Sequence, residues 1–326
     1  MRPLLLLALF SVLAAPPLRG QSGTDSTVKA TVPSPAVRLP FMRRPGDRAT
    51  VRIVKSRAER DGGVLVDSVS GTWLVDTRVL AARPRGYTMA WTYQAPGRDD
   101  ERRFDLATNT LEGVPIVFRT DATGQPYEIA NGDSLRAAIN AALREMAPGL
   151  GREARAALDN VRATAATDAG LEALLLADVE RFHLASGGRY PAGRAVTYRS
   201  ALPNPFGSAP IPAVSSFRLE PLAARDSVAT VRWRQTPDTE ALARILIDLL
   251  NEVTPGRPPL TTAEVVRRFG VEEEATYRVG TKRGQISSVR YRKAVRFGDR
   301  VRTERVAMET QAAPKPALPS PPPERP

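Results

Sequence analysis

The chain has 326 residues, 42% hydrophobic and 25% charged, the balance of a globular protein able to bury a core. It holds no cysteine and one histidine, His183, which excludes disulfides, thiolate nucleophiles, cysteine-based zinc or iron–sulfur sites and any multi-histidine metal centre. The formal charge is +12, and with only Lys29, Lys55, Lys282, Lys293 and Lys315 as lysines, 42 of the 47 basic residues are arginine. Arginine in this abundance beside many Ala, Gly and Pro residues fits the codon usage of a GC-rich bacterial genome. Net charge alone is therefore a weak argument for a polyanionic partner.

Met1 and Arg2 precede an apolar run over residues 3–15. That run is shorter than the roughly 20 apolar residues that cross a bilayer. It reads as the hydrophobic region of a secretory signal, residues 1–20, cleaved between Gly20 and Gln21, with cleavage after Ala15 as the alternative. No cysteine follows it, so the bacterial lipoprotein route is closed. Cleavage removes Arg2 and Arg19 and no acid, leaving a charge of +10. The expected location is periplasmic or extracellular, with no transmembrane segment in the mature protein. Residues 21–45, with Pro33, Pro35 and Pro40, read as a flexible linker. At the other end, residues 311–326 carry seven prolines and read as a disordered tail.

Between these ends, residues 49–53, 71–75, 87–93, 114–119 and 127–129 have strand alternation or strand composition. Pro115 places its strand at an edge or a strand start. A helix follows over 134–147, capped by Asp133 or Ser134, with Leu135, Ala138, Ile139, Ala142, Leu143 and Met146 at helical spacing. A helical connector covers 151–187, with Leu171, Leu174, Leu175, Val179 and Phe182 as its apolar stripe and Gly187-Gly188 as its stop. Strands resume at 195–198, 216–219 and 228–234. Asp238 caps a helix over 239–252, and Thr261 with Glu264 forms a capping-box spacing for a shorter one. Three strands close the chain at 275–279, 286–297 and 301–308. The expectation is an α+β fold: a large curved antiparallel sheet, with helices packed on one face. It is built from two β-rich halves, 46–150 and 188–310, with helices 134–147 and 239–252 as equivalent elements.

Motifs of known chemistry fail on context. Gly149, Gly151 and Ala154 match a dinucleotide fingerprint, but a helix precedes them where a strand is required. Ser26 and Lys29 match the spacing of an acylatable serine and its lysine, but lie in the linker without partner motifs. His183 lies near a helix end, where an imidazolium favours the dipole, and no nucleophile motif accompanies it. Acidic runs at 99–101 and 272–274 read as solvated loops. No catalytic residue, metal site or cofactor is expected.

Two features remain. In residues 289–297, Val289, Tyr291, Val295 and Phe297 share one face with Lys293, while Arg290, Arg292 and Arg296 share the other; residues 229–234 repeat the division. Arg290, Arg292 and Arg296 are thus candidate anion ligands, or else a solvated face that blocks edge aggregation. Trp73, Trp91, Trp233 and Tyr291 are candidate lining for an apolar interior, or else plain core. A nucleic-acid partner is not expected, since no aromatic platform for a single strand is evident.

The signal segment, long antiparallel strands, Gly-turn hairpins and interspersed helices together resemble exported bacterial proteins of the lipoprotein-carrier type over residues 46–310, in outline and without a diagnostic motif. That resemblance implies a curved half-barrel closed by helices over an apolar ligand site. The function expected is a non-catalytic protein of the bacterial envelope that binds a hydrophobic or amphiphilic ligand, lipid included, or an envelope component. A structural or protein-interaction module of the periplasm and a carboxylate-based hydrolase are the alternatives. Amino-terminal sequencing of protein exported from a bacterial host should start at Gln21; a start at Met1 would reject the signal.

Overall fold

The computed structural model describes residues 36–94, 110–202, 210–223, 225–253 and 261–311. The signal segment, residues 21–35 and residues 312–326 of the proline-rich tail lie outside the described residues.

In chain order, β1 (Ala36–Arg38) leads into a meander of β2 (Arg48–Asp61), β3 (Val64–Arg83), β4 (Gly86–Tyr93), β5 (Pro115–Asp121) and β6 (Pro126–Ile129). Four helices follow: α1 (Gly132–Met146), α2 (Arg152–Ala165), α3 (Asp168–Leu175) and α4 (Ala177–His183). After β7 (Arg189–Pro191), a second meander runs β8 (Ala195–Leu202), β9 (Ile211–Leu219), β10 (Val228–Pro237), β11 (Phe269–Gly280), β12 (Ile286–Phe297) and β13 (Arg300–Gln311). Two further helices, α5 (Thr239–Val253) and α6 (Thr262–Arg268), separate β10 from β11.

Both meanders join one antiparallel sheet of eleven strands, in the order β6-β5-β4-β3-β2-β13-β12-β11-β10-β9-β8, because β13 pairs with β2. The α+β architecture expected from the sequence is therefore what the structure shows, as an open sheet. Since β6 and β8 occupy opposite edges, the chain between them must cross the whole sheet, and α1–α4 make that crossing. The two helices expected to be equivalent are not: α1 belongs to the edge-to-edge crossover, whereas α5 interrupts two adjacent strands.

Strand pleating gives the sheet a covered face and an open face. On β12, Val289, Tyr291 and Val295 are buried, while Arg290 and Arg296 are exposed. Leu135, Ile139 and Leu143 of α1 pack into the apolar cluster that contains Val289 and Tyr291. Leu242 and Leu246 of α5 pack into a second cluster with Val295. These β12 residues share one side of the strand, so both helical groups cover the same face.

A polar row separates the two clusters. Tyr198, Ser215, Gln235, Glu273, Lys293, Glu304 and Arg57 are successive cross-strand partners on the covered face. Lys293 Nζ lies 3.0 Å from Glu273 Oε1, and the Tyr291 hydroxyl donates to Glu273 Oε2 at 2.8 Å. Beside them α4 lowers two charges onto the sheet. Asp178 Oδ2 lies 2.7 Å from Lys55 Nζ and accepts from the Tyr93 hydroxyl at 2.8 Å, while Arg181 Nη1 donates to Asp178 Oδ1 at 3.1 Å. Arg181 Nη2 lies 3.6 Å from Glu304, and its guanidinium stands 4.9 Å from the Tyr291 ring centre. Burial works against the Arg181 charge, but Glu304, Tyr291, Asp178 and Glu273 outweigh it and raise its pKa.

Local signals place the helix ends. Asp238 Oδ1 accepts from the backbone N–H of Glu240 at 3.0 Å and of Ala241 at 2.9 Å, capping α5. Thr261 and Glu264 form the full capping box of α6. At α1 the cap is Asn131 rather than Asp133 or Ser134, and its side chain serves the sheet instead of the helix. It accepts from Val117 N at 3.0 Å and donates to Pro115 O at 2.8 Å.

Residues 36–45 correct the reading of 21–45 as flexible linker. They form a strap across the covered face, pairing β1 with β7 and burying Leu39 and Phe41. Leu39 N donates to Gly188 O at 3.0 Å and Met42 N to Arg283 O at 3.1 Å. Gly284, at φ +62°, is required here, because a Cβ would fall 1.5 Å from the Pro40 carbonyl oxygen. Prolines disfavour helix, but extended chain carrying two large apolar side chains still packs.

Removing Asp178 strands two buried cations. Asp178→Ala should therefore cost about 3–5 kcal/mol of stability. The fully exposed Asp133→Ala should leave the urea midpoint unchanged. Equal midpoints for the two variants would show that the buried ions do not anchor α4.

Candidate functional site: an arginine trough on the open face

On the open face, β-sheet register assembles side chains from six strands into two adjacent rows. One row runs Ser56, Arg305, Arg292, Glu274, Arg234, Ser216. The next runs Val54, Ala307, Arg290, Thr276, Arg232, Arg218. Small residues and arginines share these rows, and the surface sinks between the arginines into a trough of about 600 Å³. Six arginines and one acid, Glu274, line it.

Two of its contacts are electrostatically unfavourable. Arg305 faces Arg292 directly across β13 and β12, and Arg218 faces Arg232 across β9 and β10. Like charges in directly opposed positions destabilise a sheet. Some compensation exists: Arg292 Nη1 lies 3.2 Å from Glu274, Arg234 Nη2 3.4 Å from Glu272, and Arg232 Nε 2.5 Å from Glu220. All three pairs are solvent-exposed and weak. Arg218, Arg290 and Arg305 have no acidic or hydrogen-bonding partner among the described residues.

The structure thus brings together Arg290 and Arg292 of the sequence-derived anion set. Arg296 shares their face but lies outside the trough, alongside Gly270. Arg218 and Arg305 could not be assigned from sequence, because their strands neighbour β10 and β12 only through the sheet register. Their in–out alternation with Leu219 and Val306 was the one available signal.

The apolar candidates sit in the packed core. Trp73 lies with the Lys55 ammonium 5.3 Å from its ring centre, Trp91 packs edge-on against Phe182 at 5.7 Å, and Trp233 stacks on Tyr291 at 6.4 Å. Trp233 and Tyr291 border the trough from beneath its floor. Burial, then the Glu273 carboxylate, pushes the Tyr291 phenol well above its usual pKa. A cavity on the covered side measures about 190 Å³, and none of these four residues lines it.

His183 does line that cavity, and the helix-dipole reading does not describe it. The ring is 2% exposed and packs edge-on against Phe41 and Phe182, each at 5.2 Å between centres. Neither ring nitrogen has a hydrogen-bond partner among the described residues. Burial and the nearby Arg43 charge depress its pKa to about 3, so the ring is neutral at ordinary pH.

No protein-family model and no curated protein matches the chain in sequence. Among solved structures, a lipovitellin structure concerned with lipid–protein interactions superposes over 84% of this chain and 26% of its own, at 11% identity and TM-score 0.41. This chain therefore spans about a quarter of that one. Rv2717c from M. tuberculosis superposes over 80% of this chain and 91% of its own, at 7% identity and TM-score 0.23. An outer membrane channel from Pseudomonas putida covers 87% of this chain and all of its own, at 8% identity and TM-score 0.16. None of these superpositions is close enough to establish a common fold.

The buried histidine makes stability pH-dependent. Its pKa is near 6.5 unfolded and about 3 folded, so its contribution is complete above pH 6.5 and is lost as pH falls toward 3. His183→Phe should flatten this part of the acid decline, seen as a smaller loss of urea midpoint between pH 7 and pH 4 than in the unsubstituted protein. Parallel declines would reject a buried neutral His183.

Proposed function

We propose that the chain is an exported, non-catalytic protein of the bacterial envelope whose open sheet face binds an amphiphilic ligand through an anionic headgroup. The observation that carries this reading is the set of arginines held in opposed, mutually repelling positions over a trough, three of them unpartnered. A bound phosphate or carboxylate converts that repulsion into attraction, and arginine forks suit both groups. Apolar side chains on the same face supply contact for the rest of an amphiphile: Val54 and Ala307 within the trough, and the exposed Leu74 and Val214 beyond it. A hydrolase is disfavoured because Glu274, the one acid in the lining, is engaged by Arg292. Export rests on the apolar segment and cleavage pattern of residues 1–20.

Among the described residues no helix is long and apolar enough to cross a membrane, so the contact proposed is with headgroups at a surface. The protein should sediment with phosphatidylglycerol vesicles at low salt, and not with phosphatidylcholine vesicles. Raising the ionic strength should release it. Combined substitution of Arg290, Arg292 and Arg305 by Ala should abolish sedimentation without lowering stability, since repelling charges are removed. Arg296→Ala should bind as the unsubstituted protein does. Undiminished binding by the triple variant would reject the trough as the site.

A further inference from the structure

The cavity beside His183 lies on the face opposite the trough, and independent observations make it a second site. Its base is apolar and buried, formed by Val51, Val79, Met89 and Phe182, with the imidazole of His183 set among them. Its rim carries Arg43, Arg48 and Arg283 with one acid, Asp47, and so is net cationic. Arg48 is exposed there without a partner among the described residues, and Arg283 is paired with Asp47 at 3.0 Å. Arg43 stacks over the Phe41 ring at 4.3 Å, and its guanidinium donates to the carbonyls of Met42, Arg283 and Gly284, which are neutral acceptors.

A buried imidazole with an unfilled donor and an unfilled acceptor is costly unless something in the cavity meets it. The available space, about 190 Å³, equals the liquid volume of about six waters. It therefore suits a molecule of about that many heavy atoms rather than a lipid chain. One half of the lining favours negative charge and the other half favours hydrocarbon. Phosphate, which is polar on every side, would leave the apolar base without a partner. A short carboxylic acid matches both halves.

We propose that this cavity is a binding site for a small aliphatic carboxylate, its charge facing Arg43 and Arg48, its short chain against Val79, Met89 and Phe182, and a carboxylate oxygen within reach of the His183 N–H. The site is formed where the chain following β1 crosses the covered face, so its ligand is bordered by Arg43 and Asp47 on one side and by Arg283 and Gln285 of the β11–β12 turn on the other.

His183 is the one histidine of the chain, so its imidazole signals are unique in a nitrogen-15 spectrum. Titration of the full chain with sodium butyrate at pH 7 and constant ionic strength should shift those signals saturably. Sodium phosphate and sodium chloride at matched ionic strength should not. Arg48→Ala, an exposed substitution, should weaken butyrate binding about tenfold, the loss of one charge-assisted contact, without moving the urea midpoint. Absence of a saturable shift would mean that the cavity holds water alone and would overturn the proposal. An equal response to phosphate, or unchanged butyrate affinity in Arg48→Ala with its fold intact, would overturn it as well. None of these results depends on vesicle binding by the trough.

Discussion

Asp178 governs the layout of the molecule. It is a buried anion in contact with Lys55 of β2, Arg181 of its own helix and the Tyr93 hydroxyl of β4. Taking such ions out of water is tolerable only when each meets an opposite charge in good geometry. That requirement fixes α4 over the middle of the sheet, since Lys55 and Glu304 lie on the strands where the two meanders join. Once α4 is fixed, the crossover from β6 to β8 has one route, along the covered face. The polar row continues the same logic: Lys293 and Glu273 neutralise each other, and the apolar clusters of the two helical groups form on either side of them.

Covering one face completely leaves the other with no layer. Because side chains alternate along each strand, every buried residue on β10 to β13 sends its neighbours into the open. Tyr291 and Val306 are core; Arg290, Arg292 and Arg305 are surface for the same reason. The register opposes two pairs of these arginines where alternation of sign would be more stable. The covered face has the contrary economy of charge. Its ions cancel locally, and among its buried polar rings without a hydrogen-bond partner in the described residues, His183 opens onto a cavity rimmed by three arginines and Asp47.

Elements with local causes were legible in the sequence. The box of Thr261 and Glu264 and the cap at Asp238 are each set by residues a few positions apart. Strands with many polar residues were read too short: β2 and β3 extend over residues 54–61 and 64–70, where both faces are polar or exposed and the hydrophobic period disappears. The strap was missed because its order comes from Gly188, Arg283 and Val79, all distant in sequence. Asn131 was missed as the cap of α1 because its side chain answers to β5 and not to the helix. Of the candidate site, Arg290 and Arg292 were visible as one face of one strand. The same alternation also included Arg296, since a single strand carries no information about where a trough ends.

By itself the sequence determined which reaction classes lack their residues, which segments carry the local signals of strand and helix, and which side of β12 is basic. These follow from residue chemistry and from periods of two and 3.6, which act over a few residues. Tertiary structure alone decided that β2 pairs with β13, that Arg218 and Arg305 join Arg290 and Arg292, and that His183 and Arg43 line one cavity. Those are contacts between residues far apart in the chain. They are selected by burying one sheet face and neutralising its ions together, a condition on the whole fold that no local stretch contains.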